Sequence, residues 1–489
     1  KPYILQHQTN MDPNITENDT NKFATKRSIG TLSGIIVSSG MIIGSGIFIS
    51  PHGVFAAANC SVGITLVIWI LGGVVAMLST LCYCELATSI LESGGDYIYL
   101  TYAYSPVLGF LLPWMYTFLP CADSILMLTF ARYAIEPFFV GSKPPEESIK
   151  LLAICLLLLI TALNVISTRV AIRLQVAFTW SKYIAIGVVV VASAVFCIRD
   201  PAIASHNFST AFNGPTINGN TALMLTTAFY QVMWSYEGWN SLCYVTEEVE
   251  NPGKTIPKAS VLTVAVVTLA YFIINCAYFL VLSADEMISS KIVALPFALK
   301  AMGGASWIVP LAVCLCTAGS YSAGVLTTGR LSYVAARRGH LPQVLGMLHI
   351  QSHIPCPALV INCLFVVVLI SIGQFDTLID TFGFVTWTFK ALSSLSVLIL
   401  RKRMTHLKRP YKVPTFIPAF MFILSSTFVV LPLINQPHFL YFYAIFFFAF
   451  GLLLYFLFVH NKYVIPGSAQ ATCTLQKLFQ VAPCEWEKT

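Results

Sequence analysis

The sequence predicts an all-α polytopic membrane protein of about twelve helices, and three observations carry that reading. Of 489 residues, 57% are hydrophobic and 10% charged, against roughly a quarter charged in an ordinary soluble domain. Apolar runs of about 20 residues, the length that crosses a hydrocarbon core, recur along the chain. Basic residues gather in alternate gaps between those runs, the asymmetry that sets orientation in a membrane.

Residues 1–27 form a polar amino-terminal tail, rich in Asn and Thr as far as residue 25, and that composition predicts disorder. No short apolar core with a cleavage site precedes the first span, so no secretory signal peptide is expected. Spans are expected near 31–58, 62–90, 106–138, 150–167, 170–197, 221–247, 257–283, 305–335, 355–373, 378–400, 414–434 and 439–460. Residues 461–489 are a carboxy-terminal tail. Lys22, Lys26 and Arg27 precede the first span, Arg169 and Arg173 follow the fourth, Lys254 and Lys258 the sixth, and Arg337 and Arg338 the eighth. Arg401, Lys402, Arg403, Lys408, Arg409 and Lys412 follow the tenth. Twelve spans put all of these on one side, so both termini are expected in the cytoplasm. The net charge of +7 is then a topology signal, and no nucleic-acid partner is expected. Of the glycosylation patterns, Asn14-Ile-Thr16 and Asn18-Asp-Thr20 would face the cytoplasm, whereas Asn207-Phe-Ser209 falls in an outer loop open to modification.

The fourteen cysteines form no ligand pattern. Cys82 and Cys84, like Cys314 and Cys316, lie within apolar spans, where cysteine packs as a small hydrophobe. No His or acidic cluster completes a coordination shell, so neither a metal nor a cofactor is expected. Paired catalytic acids and nucleophile-and-base arrangements are likewise missing, which argues against an enzyme.

Two spans interrupt their own helical pattern. The first reads Ile42-Ile-Gly-Ser-Gly-Ile-Phe48 at its centre, and Gly44 and Gly46 lower helix propensity and leave backbone groups free to turn toward a guest. The same glycines also suit close helix packing. The sixth reads Phe229-Tyr-Gln-Val-Met-Trp-Ser-Tyr-Glu-Gly-Trp-Asn240. Glu237 is a carboxylate at a depth where an unpaired charge is costly, hence a functional candidate. Gly238 permits unwinding, and Trp234, Tyr236 and Trp239 offer ring faces to a small guest or to neighbouring helices. Five spans separate the two interruptions, so the helices run in opposite directions, the signature of an inverted-repeat transporter with its site between the repeats. Freed N–H groups suit a carboxylate and freed carbonyls an ammonium, the two ends of an α-amino acid.

These residues also carry a family resemblance. Ile42-Ile-Gly-Ser-Gly-Ile-Phe-Ile-Ser-Pro51, Glu92-Ser-Gly-Gly-Asp-Tyr97, Tyr244-Val-Thr-Glu-Glu-Val-Glu-Asn-Pro252, Gly339-His-Leu-Pro342 and Arg409-Pro-Tyr-Lys-Val-Pro414 resemble the light chains of heteromeric amino acid transporters, in the amino acid–polyamine–organocation (APC) superfamily. The likeness runs from about Lys26 to the carboxy terminus. Phe139-Val-Gly-Ser-Lys-Pro-Pro145 and Tyr455-Phe-Leu-Phe-Val-His460 are most similar to the dibasic amino acid and cystine exchangers of that group, and Phe130-Ala-Arg-Tyr-Ala-Ile-Glu-Pro-Phe-Phe139 to the cystine/glutamate exchangers. The resemblance implies a LeuT/APC-type fold: an inverted-repeat core of two five-helix repeats over 28–400, with spans eleven and twelve over 401–460. It further implies sodium-independent antiport of cationic or large neutral amino acids, cystine among them, by alternating access at the plasma membrane. Anionic cystine/glutamate exchange on the same fold, and a transport-inactive sensor or structural subunit, are the alternatives.

Carried over residue by residue, the family's substrate-binding segments fall on Ile42, Ile43, Gly44, Ser45 and Gly46 for the carboxylate, and on Trp234, Ser235, Tyr236, Glu237 and Gly238 for the amino group and side chain. Lys182 matches a family lysine that contacts the first helix in place of a sodium ion. Four positions are candidates for specificity or gating: Arg132, Lys182, Lys390 and Trp239. Glu237 favours cationic side chains, unless Lys390, in Thr386-Trp-Thr-Phe-Lys-Ala391, faces the same cavity and neutralises it. Lys390 as a snorkelling or cavity-lining lysine is the other reading. Arg132 either attracts an anionic side chain in an outer vestibule or pairs with Glu136 or lipid headgroups. The partners implied are L-amino acids, membrane lipids and a single-span glycoprotein heavy chain. Ser142 stands where the family's bridging cysteine would be, so that heavy chain is expected to bind noncovalently.

Overall fold

A computed structural model describes residues 27–483, apart from 28, 140–141, 143, 167, 213–220, 291, 351–353, 436–438, 462 and 464–467. The expected disorder of the amino-terminal tail and the sequons at Asn14 and Asn18 lie outside the described residues. The first half of the chain contributes α1 (Thr31–Ile42), α2 (Gly46–Ala57), α3 (Val62–Ser89), α4 (Asp96–Ala103), α5 (Pro106–Phe118), α6 (Cys121–Ile135), α7 (Glu146–Ile166), α8 (Thr168–Arg199) and α9 (Ala202–Ser209). The second contributes α10 (Thr221–Ser235), α11 (Pro252–Val281), α12 (Ala284–Ser289), α13 (Ala294–Met302), α14 (Ile308–Arg337), α15 (Cys356–Ile372), α16 (Phe375–Arg403), α17 (Phe416–Asn435), α18 (Phe439–Leu454) and α19 (Ser468–Phe479).

Each of the twelve expected apolar segments is built on one of these helices or on a pair of them. Among the described residues nine are long and apolar enough to cross a membrane. The other three are bent or shorter. The first is α1 and α2, bent by 52° about the interruption at Ile43–Ser45. The sixth was expected over 221–247 but is helical only to Ser235, continuing as turns and short 3₁₀ segments at Ser241–Tyr244 and Thr246–Glu248. The ninth is a helix of 17 residues. The third span, expected as one run, divides at Pro120, since proline lacks the N–H and disfavours helix in the residue before it. The seventh begins earlier than expected because Pro252 is suited to a first helical turn.

The packing repeats with an offset of five spans. α2 packs on α10, α3 on α11, α6 on α14 and α7 on α15, pairing spans one with six, two with seven, three with eight and four with nine. Crosswise neighbours follow the same rule. α8 lies against α14 as α16 lies against α6, and the short helix α4 rests on α16 as α13 rests on α8. This is the expected fold class, two inverted five-helix repeats, with α17 against α16 and α18 against α5 and α16 outside them.

The basic residues do more than orient the chain. At the end where they gather, Glu85 of α3 is buried and accepts from Arg401 Nε at 2.8 Å, Arg401 Nη2 at 2.5 Å and the Val413 N–H at 2.8 Å, with Arg409 Nε 3.7 Å away. Glu92 meets Arg338 at 3.1 Å and Glu248 meets Arg330 at 3.0 Å at the same end. Just beyond α14, burial and the neighbouring Arg338 guanidinium push His340 down to about 4. Nearby, strand β1 (Met347–His349) pairs antiparallel with β2 (Val481–Pro483), with Leu348 opposite Ala482, so this part of the carboxy-terminal tail is folded back onto the loop after span eight. The sequon at Asn207 is corrected by the structure. Its side-chain nitrogen, the atom that would carry a sugar, is buried and donates at 2.8 Å to the carbonyls of both Phe279 and Leu282.

Removing the carboxylate at Glu85 leaves two guanidinium groups without their shared acid. Glu85→Ala is expected to cost about 3–5 kcal/mol, read as a lowered thermal unfolding midpoint in detergent. An unchanged midpoint would show that the cluster contributes nothing to the packing of spans two, ten and eleven.

Candidate functional site

The two interrupted spans cross at backbone contact, and glycine makes that approach feasible at each. A Cβ on Gly46 would lie 2.4 Å from Ser235 Cα. Gly238 has φ +104°, and a Cβ there would lie 3.2 Å from the Met41 carbonyl carbon. Each break therefore presses its glycine against the other break's backbone, so close packing and helix interruption are one device.

Freed backbone groups converge at the crossing. At the start of α2 the Phe48 N–H turns back to the Ser45 carbonyl at 3.0 Å; the N–H groups before it have no carbonyl one turn earlier in the helix, and helix dipoles make that end partially positive. α1 and α10 bring their carboxy-terminal ends to the same place. The Tyr271 hydroxyl from α11 reaches both, 2.9 Å from the Ile42 carbonyl and 2.8 Å from the Ser235 carbonyl, and ties the breaks together with a shared proton. Lys182 from α8, fully buried, donates to the Gly40 carbonyl at 2.5 Å and to Ser320 Oγ of α14 at 2.9 Å. An ammonium thus sits behind the end of α1, the negative end of that helix's dipole.

Around the crossing lies a cavity of about 270 Å³. Of the residues expected at the site, Ile42, Gly44, Ser45, Gly46, Trp234, Glu237 and Gly238 line it. Ile43, Ser235, Tyr236 and Trp239 are buried behind its wall: the Tyr236 hydroxyl donates to the Trp69 carbonyl at 3.1 Å, and Trp239 meets Tyr83 edge-on at 4.7 Å. Val37, Tyr244 and Val245 extend the lining toward the basic end. On the other side Tyr133 donates to the Phe48 carbonyl at 2.6 Å and Phe55 packs on Phe279.

A family model described as amino acid permease matches residues 29–472. The chain belongs to the amino acid permease family. It is similar to b(0,+)-type amino acid transporter 1 of Homo sapiens, 36% identical over 488 residues and covering 98% of each chain. It is also similar to the cystine/glutamate transporter of Homo sapiens, at 36% over 85% of this chain and 82% of that one, and to Asc-type amino acid transporter 1 of Mus musculus, at 35% over 85% and 78%.

In this permease the charged candidates separate. Lys390 Nζ of α16 lies 2.6 Å from Glu237 Oε2, so of the two readings open for Lys390 the neutralising one describes its geometry. It does so from behind the cavity wall, between the rings of Trp387 at 5.0 Å and Trp239 at 5.3 Å. Arg132 is not brought to the cavity. Its guanidinium is 3.3 Å from Glu146, the ion pair expected with Glu136 being made with this residue instead, and it stands over the Phe375 ring at 5.3 Å. Ser142 is exposed.

Several lining or bridging residues were not legible beforehand. Tyr271 and Ser320 are unremarkable members of apolar runs, and Asp123, which lines the cavity from the first turn of α6, is an intramembrane acid that the criterion applied to Glu237 would have found. Asp96, in the Glu92–Tyr97 segment, has no role that its sequence context reveals. It is buried and accepts from Tyr83, from Ser393 at 2.5 Å and from Tyr244 at 2.9 Å, joining spans two and ten to the stretch after span six.

If contact between the breaks governs the core of this permease, Gly46→Ala is expected to destabilise it by about 1–3 kcal/mol through overpacking. Gly187→Ala, inside α8 with nothing within 4 Å of the new methyl, is the control and should keep the unfolding midpoint or raise it slightly. Equal midpoints for the two variants would contradict the contact.

Proposed function

We propose that the chain is a sodium-independent antiporter of cationic or large neutral amino acids, cystine among the candidates, working by alternating access. The observation that supports this best is the juxtaposition at the cavity of the α2 amino terminus with the carboxy-terminal ends of α1 and α10. A substrate carboxylate belongs at the first and its ammonium near the second, so Ile42–Gly46 and Trp234–Gly238 read the part common to all α-amino acids, and side-chain choice falls to the remaining wall. Lys182 is the fixed cation that replaces a sodium ion beside α1. With the basic end in the cytoplasm, a cavity lined by Val37, Tyr244 and Val245 and shut by Tyr133, Phe48, Phe55 and Phe279 corresponds to an inward-facing state. The relatives named for amino acid transport support the same reading.

The protein is placed in the plasma membrane, with residues 28–400 as the transport core, 401–460 as two accessory spans and the tails at 1–27 and 461–489 in the cytoplasm. A single-span glycoprotein heavy chain would associate through helix packing, since Ser142 offers no thiol.

Counterflow in proteoliposomes tests the function. Vesicles loaded with unlabelled amino acid are expected to accumulate labelled leucine, arginine or cystine, at equal rates with sodium or choline outside. Binding without exchange would identify a sensor instead, strong inhibition by glutamate would favour anionic exchange, and a sodium requirement would remove the role given to Lys182.

A further inference from the structure

The acid expected to read substrate side chains already has a cation. Glu237 follows the end of α10 and turns toward the cavity, with a quarter of its side chain exposed. Its Oε2 is 2.6 Å from Lys390 Nζ, whose side chain is 5% exposed. The ammonium is held there from three sides, by the carboxylate and by the ring faces of Trp387 and Trp239. Cation–π attraction strengthens where water is excluded, so this position is a preferred one for the lysine.

We infer that Lys390 determines the substrate class: it cancels the charge of Glu237 from behind the wall, and the site takes amino acids with uncharged side chains in preference to dibasic ones. This deepens the exchange reading above and rests on it. A cationic side chain approaching Glu237 meets a pair with no net charge. To claim the carboxylate for itself it would have to strand a buried ammonium between two indoles, the costly way to break an ion pair. An anionic side chain meets the cavity-facing carboxylate first, with Lys390 behind it. Met115, Leu126, Trp234 and Phe382 contribute apolar surface to the wall, which suits a large neutral side chain. The other cavity acid, Asp123, stands in the first turn of α6, where the helix dipole meets a negative charge, with the Asn362 amide beside it.

The full-length protein in proteoliposomes gives the test, with initial counterflow rates of labelled leucine and arginine as the readout. Wild type is expected to favour leucine by roughly tenfold or more, and Lys390→Met to shift the arginine-to-leucine ratio upward by a similar factor, the scale of a close charge pair. Lys390→Met with Glu237→Gln should restore preference for leucine. If Lys390→Met does not fold, Glu237→Gln alone decides: it leaves the ammonium unpaired and should let glutamate compete with leucine. Arginine carried by wild type as fast as leucine overturns the inference, as does a ratio unmoved by Lys390→Met, or arginine transport lost in Asp123→Asn. Each of these leaves amino acid exchange standing. Exchange of no amino acid at all would instead remove the exchange reading, and this inference with it.

Discussion

Everything around the cavity depends on two helix backbones crossing at contact distance in mid-span. Gly46 has no room for a methyl group against Ser235, and Gly238 adopts a left-handed conformation against Met41. An interrupted helix deep in a membrane-spanning body leaves polar backbone groups that hydrocarbon cannot satisfy. Here Tyr271 and Lys182 take up carbonyls at Ile42, Ser235 and Gly40, and the rest are gathered around one cavity. Interruption of the helices and creation of a polar recess are therefore the same structural event.

The inverted repeats supply what that crossing needs. Spans one and six meet because each of the first four spans packs on the span five positions later, and an odd offset brings the partners together antiparallel. The α2 amino terminus consequently faces the carboxy-terminal ends of α1 and α10 across a short gap, a dipole arrangement that a single uninterrupted bundle would not offer. Charges at the basic end hold the periphery to this core: Glu85 clamps two arginines beyond span ten, and Asp96 ties spans two and ten to the stretch after span six.

Much of this was readable from residue order alone. Gly44 and Gly46 in the first apolar run and Gly238 in the sixth located both breaks, because glycine loses more entropy in a helix than any alternative and is kept where backbone must approach backbone. What escaped was orientation. Lys390 could equally have pointed to lipid or to the cavity, and only the packing of α16 against α6 and α10 turns it behind Glu237. Tyr271 is one of 21 tyrosines, and its bridging role depends on where α11 passes the crossing. For Arg132 the sequence leaves open an outer vestibule and pairing with Glu136 or lipid headgroups, whereas its partner is Glu146, 14 residues further along the chain. The sixth span ends earlier than expected because Trp239, Leu242, Cys243, Tyr244 and Val245 prolong its apolar character while the backbone after Ser235 unwinds.

The central claim is that one cavity, between the α2 amino terminus and the ends of α1 and α10, receives the common part of an amino acid. A cryo-EM reconstruction of the full chain in lipid nanodiscs with saturating leucine tests it most directly. The account predicts density for the ligand with its carboxylate at the N–H groups of Ser45 and Gly46 and its side chain toward Trp234 and Phe382. Leucine density elsewhere in the protein, with the gap between the two breaks unfilled, would contradict it.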